Sequence, residues 1–415
     1  MKQQLSSRSL DVAVSTRDLH SQAGEHVSTT LELISHPIAV KGDWEKLEKS
    51  GCCSVYQTRE FVSAWTEAVV AEGLCQPAFA GLKREGRFIC LLPFAIRIRH
   101  GLRIAEFVGG THSNHNLPLF DPDCLDVLTT DVMQAMLKQL AYRLKIDAYD
   151  LRRQPLTWNG VINPLASALS SMTSATIAQD VFLEGGFDAL LKRHRGSSKR
   201  KKLRAKERIF ASFGGYEILW GNTPESRRQL LSILFKQKAQ QFSEKGMKDV
   251  FADQATRRFF FTLAEGSGAN PILELAALQS AGVIRAVRAY AIHQNRLSLM
   301  MQSYTEDELS RASPGETLLF RSIEEFCKRG FQRLDFGVGR ERYKDSWADA
   351  EFPLVDSLLA VSTAGRAYTT AMRLRCVLER KVRNNKKLWT MLKKARRFVK
   401  GRESSHHRVN QTEDD

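Results

Sequence analysis

At 415 residues, 43% hydrophobic and 26% charged, the chain has the balance of a globular protein with room for two domains of ordinary size. Its formal net charge of +16 favours acidic partners: nucleic acid, an anionic membrane surface or a phosphate-rich co-substrate. Seven cysteines, with Cys52 and Cys53 adjacent and no C-x-x-C pair, argue against a disulfide framework or zinc site and for a reducing cytoplasm, and no stretch approaches the roughly 18 consecutive apolar residues of a membrane span.

In chain order, residues 1–30 read as a polar leader without the apolar run of a signal peptide. Leu31 to Val40 suits a strand, and Asp43 is placed to cap a helix beginning near Trp44. A second helix from Thr58 to Glu72 puts Phe61, Trp65 and Val69 on one face. A three-strand meander follows, Pro77 to Lys83, Phe88 to Arg99 and Ile104 to Val108, with turns at Glu85-Gly86 and His100-Gly101. Gly109 to Asn116 reads as a polar surface loop carrying His112 and His115. A helix from Asp131 to Leu144 and a strand from Ala148 to Leu151 come next.

The second half repeats this order. Phe187 to Phe213 reads as one long basic helix, and Pro224 to Gly246 as another, capped by Thr223. A second meander comprises Ile272 to Gln279, Val283 to His293 and Leu297 to Tyr304, with His293 at an exposed hairpin end. Ser313, Pro314 and Glu316 spell a capping box for a helix that buries Leu319, Ile323 and Phe326 and stops at Gly330. Phe331 to Phe336 is then a strand, and Pro353 to Val361 a final one. Residues 366–402 form a basic segment with Leu374, Leu378, Leu388 and Leu392, read as amphipathic helices, and 403–415 a disordered tail.

Chemistry-bearing residues concentrate after Ser313. A Gly-containing turn into a helix N-terminus offers backbone N–H groups and a positive dipole to phosphate, which makes Ser313, Gly315, Thr317 and Arg340 candidates for binding a phosphate-bearing co-substrate. Asp335 ends a strand, where a buried carboxylate can act as a base or else cap a turn or pair with Arg340. Tyr343 and Lys344 follow a turn and can bond an acceptor, protonate a leaving group or hold phosphates; Trp347 reads as packing. His112, His115 and Tyr304 are candidates for acceptor binding. The two histidines make no zinc set, and no metal is expected. The run Ser197-Ser198-Lys199-Arg200-Lys201-Lys202 can meet phosphates, but no aromatic RNA motif or zinc finger accompanies it, so no specific nucleic acid is expected.

The order helices, meander, helix, strand resembles the GNAT N-acetyltransferase fold, and two such units in tandem resemble the Fem-type aminoacyltransferases. More narrowly, the sequence looks like the CelD/BcsL family, with its BioF2-like acetyltransferase domain. The residues that carry this are the basic helix from His194-Arg195 to Arg208, the run Tyr304…Ser313-Pro314-Gly315…Leu319, the strand end Asp335-Phe336-Gly337, and Tyr343-Lys344…Trp347. They span most of residues 180–360; the first half resembles the family in pattern alone. The resemblance implies a mixed α/β protein with a GNAT-like unit over 31–180 on the acceptor side and another over 181–365 holding the donor. It also implies a bacterial acyltransferase that moves an acetyl or other acyl group from acyl-CoA to an amine or hydroxyl. The acceptor would be a free or lipid-linked sugar, or another precursor of cellulose or exopolysaccharide. The enzyme would sit in the cytoplasm, peripheral to the inner membrane through 366–402.

One departure keeps the donor open. The turn before the helix has a single glycine, Gly315, and Glu316 sits where a pyrophosphate would approach. Aminoacyl-tRNA, as in the Fem type, is the alternative donor, and a non-enzymatic basic scaffold on membrane or nucleic acid is the remaining reading.

Overall fold

The computed structural model describes residues 29–266 and 271–384, so the expected leader up to residue 28, the basic segment from 385 and the tail lie outside the described residues. Contacts divide the chain into two compact units. Among the described residues the first holds 29–178, 337–339 and 351–373, and the second the remainder.

In the first unit, β1 (Thr29–Ile34) leads to helices α1 (Lys41–Ser50) and α2 (Arg59–Trp65). Then come β2 (Gln76–Arg84), β3 (Arg87–Arg99), β4 (Leu102–Phe107), the short β5 (Leu119–Phe120), α3 (Thr130–Leu144) and β6 (Ala148–Pro155). A small hairpin of β7 (Thr157–Trp158) and β8 (Val161–Ile162), helix α4 (Pro164–Ala168) and strand β9 (Ser171–Phe182) follow. Strands β1 to β4 pair antiparallel in sequence order, and β6 joins β4 in parallel after α3. The core packs Phe94, Phe107, Met133, Leu137, Leu140 and Tyr149 between sheet and helix.

The second unit repeats the plan. Helices α5 (Gly186–Arg193) and α6 (Gly196–Ala211) precede β10 (Glu217–Trp220), α7 (Pro224–Glu244) and α8 (Gln254–Glu265). The meander is β11 (Leu273–Ser280), β12 (Val283–His293) and β13 (Arg296–Tyr304), followed by α9 (Pro314–Lys328), β14 (Arg333–Val338) and the short α10 (Arg342–Asp345). Strands β10 to β13 pair antiparallel, and β14 joins β13 in parallel after α9. The chain closes with β15 (Ala350–Ala360), antiparallel to β6, and α11 (Thr363–Asn384). Both meanders, both crossover helices and both parallel strands are those expected from sequence, and the fold is a mixed α/β one.

Several local expectations are corrected. The long basic helix is two helices: Arg195 adopts a left-handed conformation, and a Cβ on Gly196 would fall 2.8 Å from the Leu191 carbonyl oxygen. Asp43 does not cap α1; the helix starts earlier, at Lys41, out of a 3₁₀ turn, and Asp43 lies in its first turn. Ser313 is not a side-chain cap either. It is left-handed at φ 47°, and its carbonyl instead receives the N–H groups of Glu316 and Thr317. Thr223, by contrast, caps α7 through a reciprocal bond with Ser226. Strand β10 and helix α8 were not foreseen.

Candidate active site

The site in the second unit begins where two strands part. Strand β14 pairs with β13 at Arg296–Arg333, Leu297–Leu334 and Ser298–Asp335, the last pair in this parallel ladder among the described residues. Just beyond, β13 carries a bulge: Leu299 faces Tyr290 and Met301 faces Ala289, so Met300 is the extra residue. A bulge beside diverging strands leaves main-chain groups without their ladder partners, the arrangement expected for polarising a carbonyl. Helix α7 holds the far end of β13. Gln237 receives the Ser303 hydroxyl at 2.7 Å and donates to the Ile284 carbonyl at 2.9 Å, and Gln241 donates to the Tyr304 carbonyl at 2.7 Å.

Asp335 is wholly buried at this parting. Lys344, on the short α10, is buried as well, 3.9 Å from the Glu341 carboxylate and within electrostatic reach of Asp335. Desolvation lowers the Lys344 pKa; Glu341 and Asp335 oppose that shift and Arg288 adds to it. Tyr343 packs edge-on against Phe336, and its hydroxyl accepts a hydrogen bond from Gln302 at 3.0 Å. Burial pushes the Tyr343 phenol up to about 12, so it keeps its proton at neutral pH. Because Gln302 donates, that proton remains available to a ligand. Sequence reasoning therefore placed Asp335, Tyr343 and Lys344 in one neighbourhood, and the structure brings them together.

At the start of α9 the backbone is less generous than a glycine-rich turn. Pro314 has no N–H, and those of Glu316 and Thr317 are spent on the Ser313 carbonyl, which leaves the Gly315 amide. The Thr317 hydroxyl, expected at the donor, is buried and donates to the Ala312 carbonyl at 3.3 Å. Glu316, expected to repel phosphate, is paired with Lys206 of α6. Lys199, from the same helix, lies 3.9 Å from the centroid of the Trp347 ring and donates to the Ser346 hydroxyl; burial and Lys202 bring its pKa down to about 8. Basic charge thus surrounds the helix start. A Cβ on Gly315 would meet nothing nearer than Tyr304 at 3.8 Å, so the approach is open, and Tyr304 itself is exposed beside it. Arg340 is exposed in the turn before α10.

The remaining candidates belong to the first unit. His112 ends a 3₁₀ turn, half-buried beside Trp65. His115 is corrected: it is fully buried, with its ring between Trp158 at 5.1 Å and Phe352 at 5.4 Å, and is no surface-loop residue. His293 is also more enclosed than a hairpin end suggests, and burial lowers its pKa to about 4. Three residues went unread in the sequence: Gln302, Lys206 and Arg288. For Arg288 the signal was there, since a charge inside the apolar run Ala286-Val287-Arg288-Ala289-Tyr290 needs a partner.

Residues 197–345, which hold this whole cluster, match the family described as "Acetyltransferase (GNAT) domain". The match covers less than half of the chain. The matched region covers the basic α6, the second meander, α9 and the Tyr343-Lys344 pair. Among solved structures, FemX aligns over 77% of this chain and 96% of its own at 10% identity, with a TM-score of 0.54. L-PGS from Bacillus licheniformis aligns over 81% and 96% at 11% identity, with a TM-score of 0.51. At these identities the likeness is one of fold. A tandem GNAT protein from the clavulanic acid biosynthesis pathway aligns over 80% and 98% at 10% identity, with a TM-score of 0.44. No curated protein matches the sequence significantly.

Proposed function

We propose that the enzyme transfers an acyl group, with acetyl the leading choice, from acyl-CoA to an amine or hydroxyl of a sugar or related envelope precursor, as in the CelD/BcsL type. The observation that carries this reading is the cluster of buried Asp335 and Lys344 with the partly buried Tyr343 where β13 leaves β14, inside the region that matches the GNAT domain. The start of α9 fits an anionic co-substrate: Lys206 neutralises Glu316, Gly315 leaves room, and Lys199 and Lys202 add charge. Gly315 and the left-handed Ser313 before it would lie against the donor phosphates, and Arg340, exposed in the turn before α10, is a further candidate to hold them.

Transfer needs an oxyanion to be stabilised, a proton removed from the nucleophile and a proton given to the leaving thiolate. Main-chain groups at the Met300 bulge and the Lys344 ammonium serve the oxyanion. Tyr343 supplies the proton to the leaving thiolate, and Asp335, which also attracts the Lys344 ammonium, accepts the proton of the nucleophile directly or through water. His112 and Tyr304 remain candidates for contact with the acceptor. His115 supports the His112 loop from within.

The test is release of free thiol from acetyl-CoA on addition of amino sugars, alongside thermal unfolding with acetyl-CoA. Saturable stabilisation and turnover are expected; no stabilisation at a hundredfold excess over a micromolar affinity removes acyl-CoA as donor. A second reading, aminoacyl transfer from aminoacyl-tRNA, is favoured by the fold shared with FemX and by the basic face of α6. It requires tRNA binding with steep salt dependence that disappears when Lys199, Arg200, Lys201 and Lys202 are neutralised together.

A further inference from the structure

Helix α7 changes character halfway along the face it turns to the sheet. Leu230, Leu231, Leu234 and Phe235 bury its first half. The positions that continue the Leu234 stripe are Gln237, Lys238, Gln241 and Lys245, spaced as neighbours on one helical face. The two glutamines are buried and spent on β12 and β13. Neither lysine ammonium has a hydrogen-bond or ion-pair partner among the described residues. Lys238 is half-buried, its Nζ 5.4 Å from the Phe242 ring centroid, and the Lys245 Nζ lies 5.9 Å from that of Tyr304. Burial holds the Lys238 pKa below the ordinary lysine value; Lys245 adds to that shift, and Glu341 and Asp249 oppose it. Lys206, also half-buried, shows the usual remedy, since it pairs directly with Glu316.

Glu341 is also 3.9 Å from Lys344, so the lysine pair borders the cluster of Asp335, Tyr343 and Lys344. Lys245 approaches the Tyr304 ring from α7, and Gly315 approaches it from α9, where an added Cβ would meet the ring at 3.8 Å. A group held by Lys238 and Lys245 is therefore met on the α7 side of Tyr304, whereas donor phosphates belong at Gly315. Two cations this near each other in a half-buried place repel, and an anion received between them turns the repulsion into attraction. We infer that Lys238 and Lys245 hold an anionic group, carboxylate or phosphate, of the acceptor sugar, with the exposed Tyr304 ring as the platform for the sugar itself. This rests on the reading of the second unit as the acyl-transferring one and deepens it: the acceptor is an acidic sugar.

Thermal unfolding of the full chain at constant ionic strength tests this. Wild type is compared with Lys238→Met/Lys245→Met and with Lys238→Arg/Lys245→Arg. Glucosamine 6-phosphate, glucosaminuronate and glucosamine are titrated, each with and without saturating coenzyme A to fill the donor side. The expected result is saturable stabilisation of the wild type by an acidic sugar, in preference to glucosamine, with coenzyme A present. It should be about tenfold weaker or more in the methionine pair and largely kept in the arginine pair. The unliganded methionine pair is expected to melt at or above the wild-type temperature, since it sheds two like charges. Stabilisation by only one of the two acidic sugars upholds the inference and assigns the anion to phosphate or carboxylate accordingly. Acidic-sugar binding that is equal in wild type and methionine pair overturns it and leaves the acyl-CoA reading standing. So does glucosamine binding as well as either acid, or no saturable stabilisation by any of the three. Failure of coenzyme A to stabilise the chain removes the acyl-CoA reading instead, and the titrations without it still decide the role of the lysines.

Discussion

Lys344 is the residue on which the chemistry turns, and its burial sets a pH signature. Desolvation is the largest influence on it and favours the neutral amine, so the ammonium loses its proton below the ordinary lysine range of about 10.4. If the ammonium stabilises the developing oxyanion, kcat falls on the alkaline side earlier than an exposed lysine would allow. Lys344→Arg, whose charge persists at every accessible pH, should remove that limb at reduced rate, while Lys344→Ala should cost about 10²–10³-fold in kcat. A wild-type profile flat to pH 10 sinks the assignment. The same burial bears on stability with a fixed sign. The unfolded chain binds this proton more tightly, so the penalty is fully present below the folded value and eases as pH rises toward the unfolded one. Of this residue the sequence showed the type and the neighbourhood, through the Tyr343-Lys344 pair after a turn. It did not show Arg288, Gln302 or the Glu316 pair with Lys206, because those contacts join elements far apart in the chain.

At the scale of elements, β13 is held by its ladder with β12 and, at its far end, by helix α7. Past Ser298, where the pairing with β14 ends, Gln237 and Gln241 of α7 bond Ser303 and Tyr304. Gln237→Ala leaves the Ser303 hydroxyl and the Ile284 carbonyl without their partner. A loss of about 1–3 kcal/mol in urea unfolding is expected, together with a rate loss that exceeds the loss in substrate binding. Unchanged stability would mean that β13 is held otherwise. Strands and crossover helices were legible because their apolar spacing is set by the sheet and helix periods. Strand β10 was missed because it has only four residues, Glu217–Trp220, none of them fully buried. The entry to α9 was misread for a different reason. Ser-x-x-Glu is a good capping box only if serine is extended, and the 3₁₀ turn Ser310–Ala312 delivers Ser313 left-handed, so the motif spells a cap that the incoming chain does not permit.

For the whole molecule the net charge of +16 has to be exposed to something. The first half of α11 is pinned: Tyr368 donates to the Asp150 carboxylate at 3.0 Å, and Arg373 to the Leu358 carbonyl. Beyond it Leu374, Val377 and Leu378 stand exposed at i, i+3 and i+4, interleaved with Arg375, Arg380 and Lys381. No described helix is long and apolar enough to cross a membrane, but an apolar stripe edged by cations suits the plane of an anionic bilayer surface, where each basic residue near the headgroups contributes about 1 kcal/mol. An enzyme acting on a lipid-linked acceptor gains from that location. The expectation is that the full chain sediments with vesicles containing anionic lipid, does so weakly with zwitterionic ones, and is released as salt rises toward 0.5 M. Leu374→Asp with Leu378→Asp should release it without lowering turnover on a soluble acceptor, because neither residue belongs to the site. Binding that survives the double variant, or that ignores lipid charge, assigns the positive field to the substrate site itself, where Lys199, Lys202 and Lys206 gather at the start of α9.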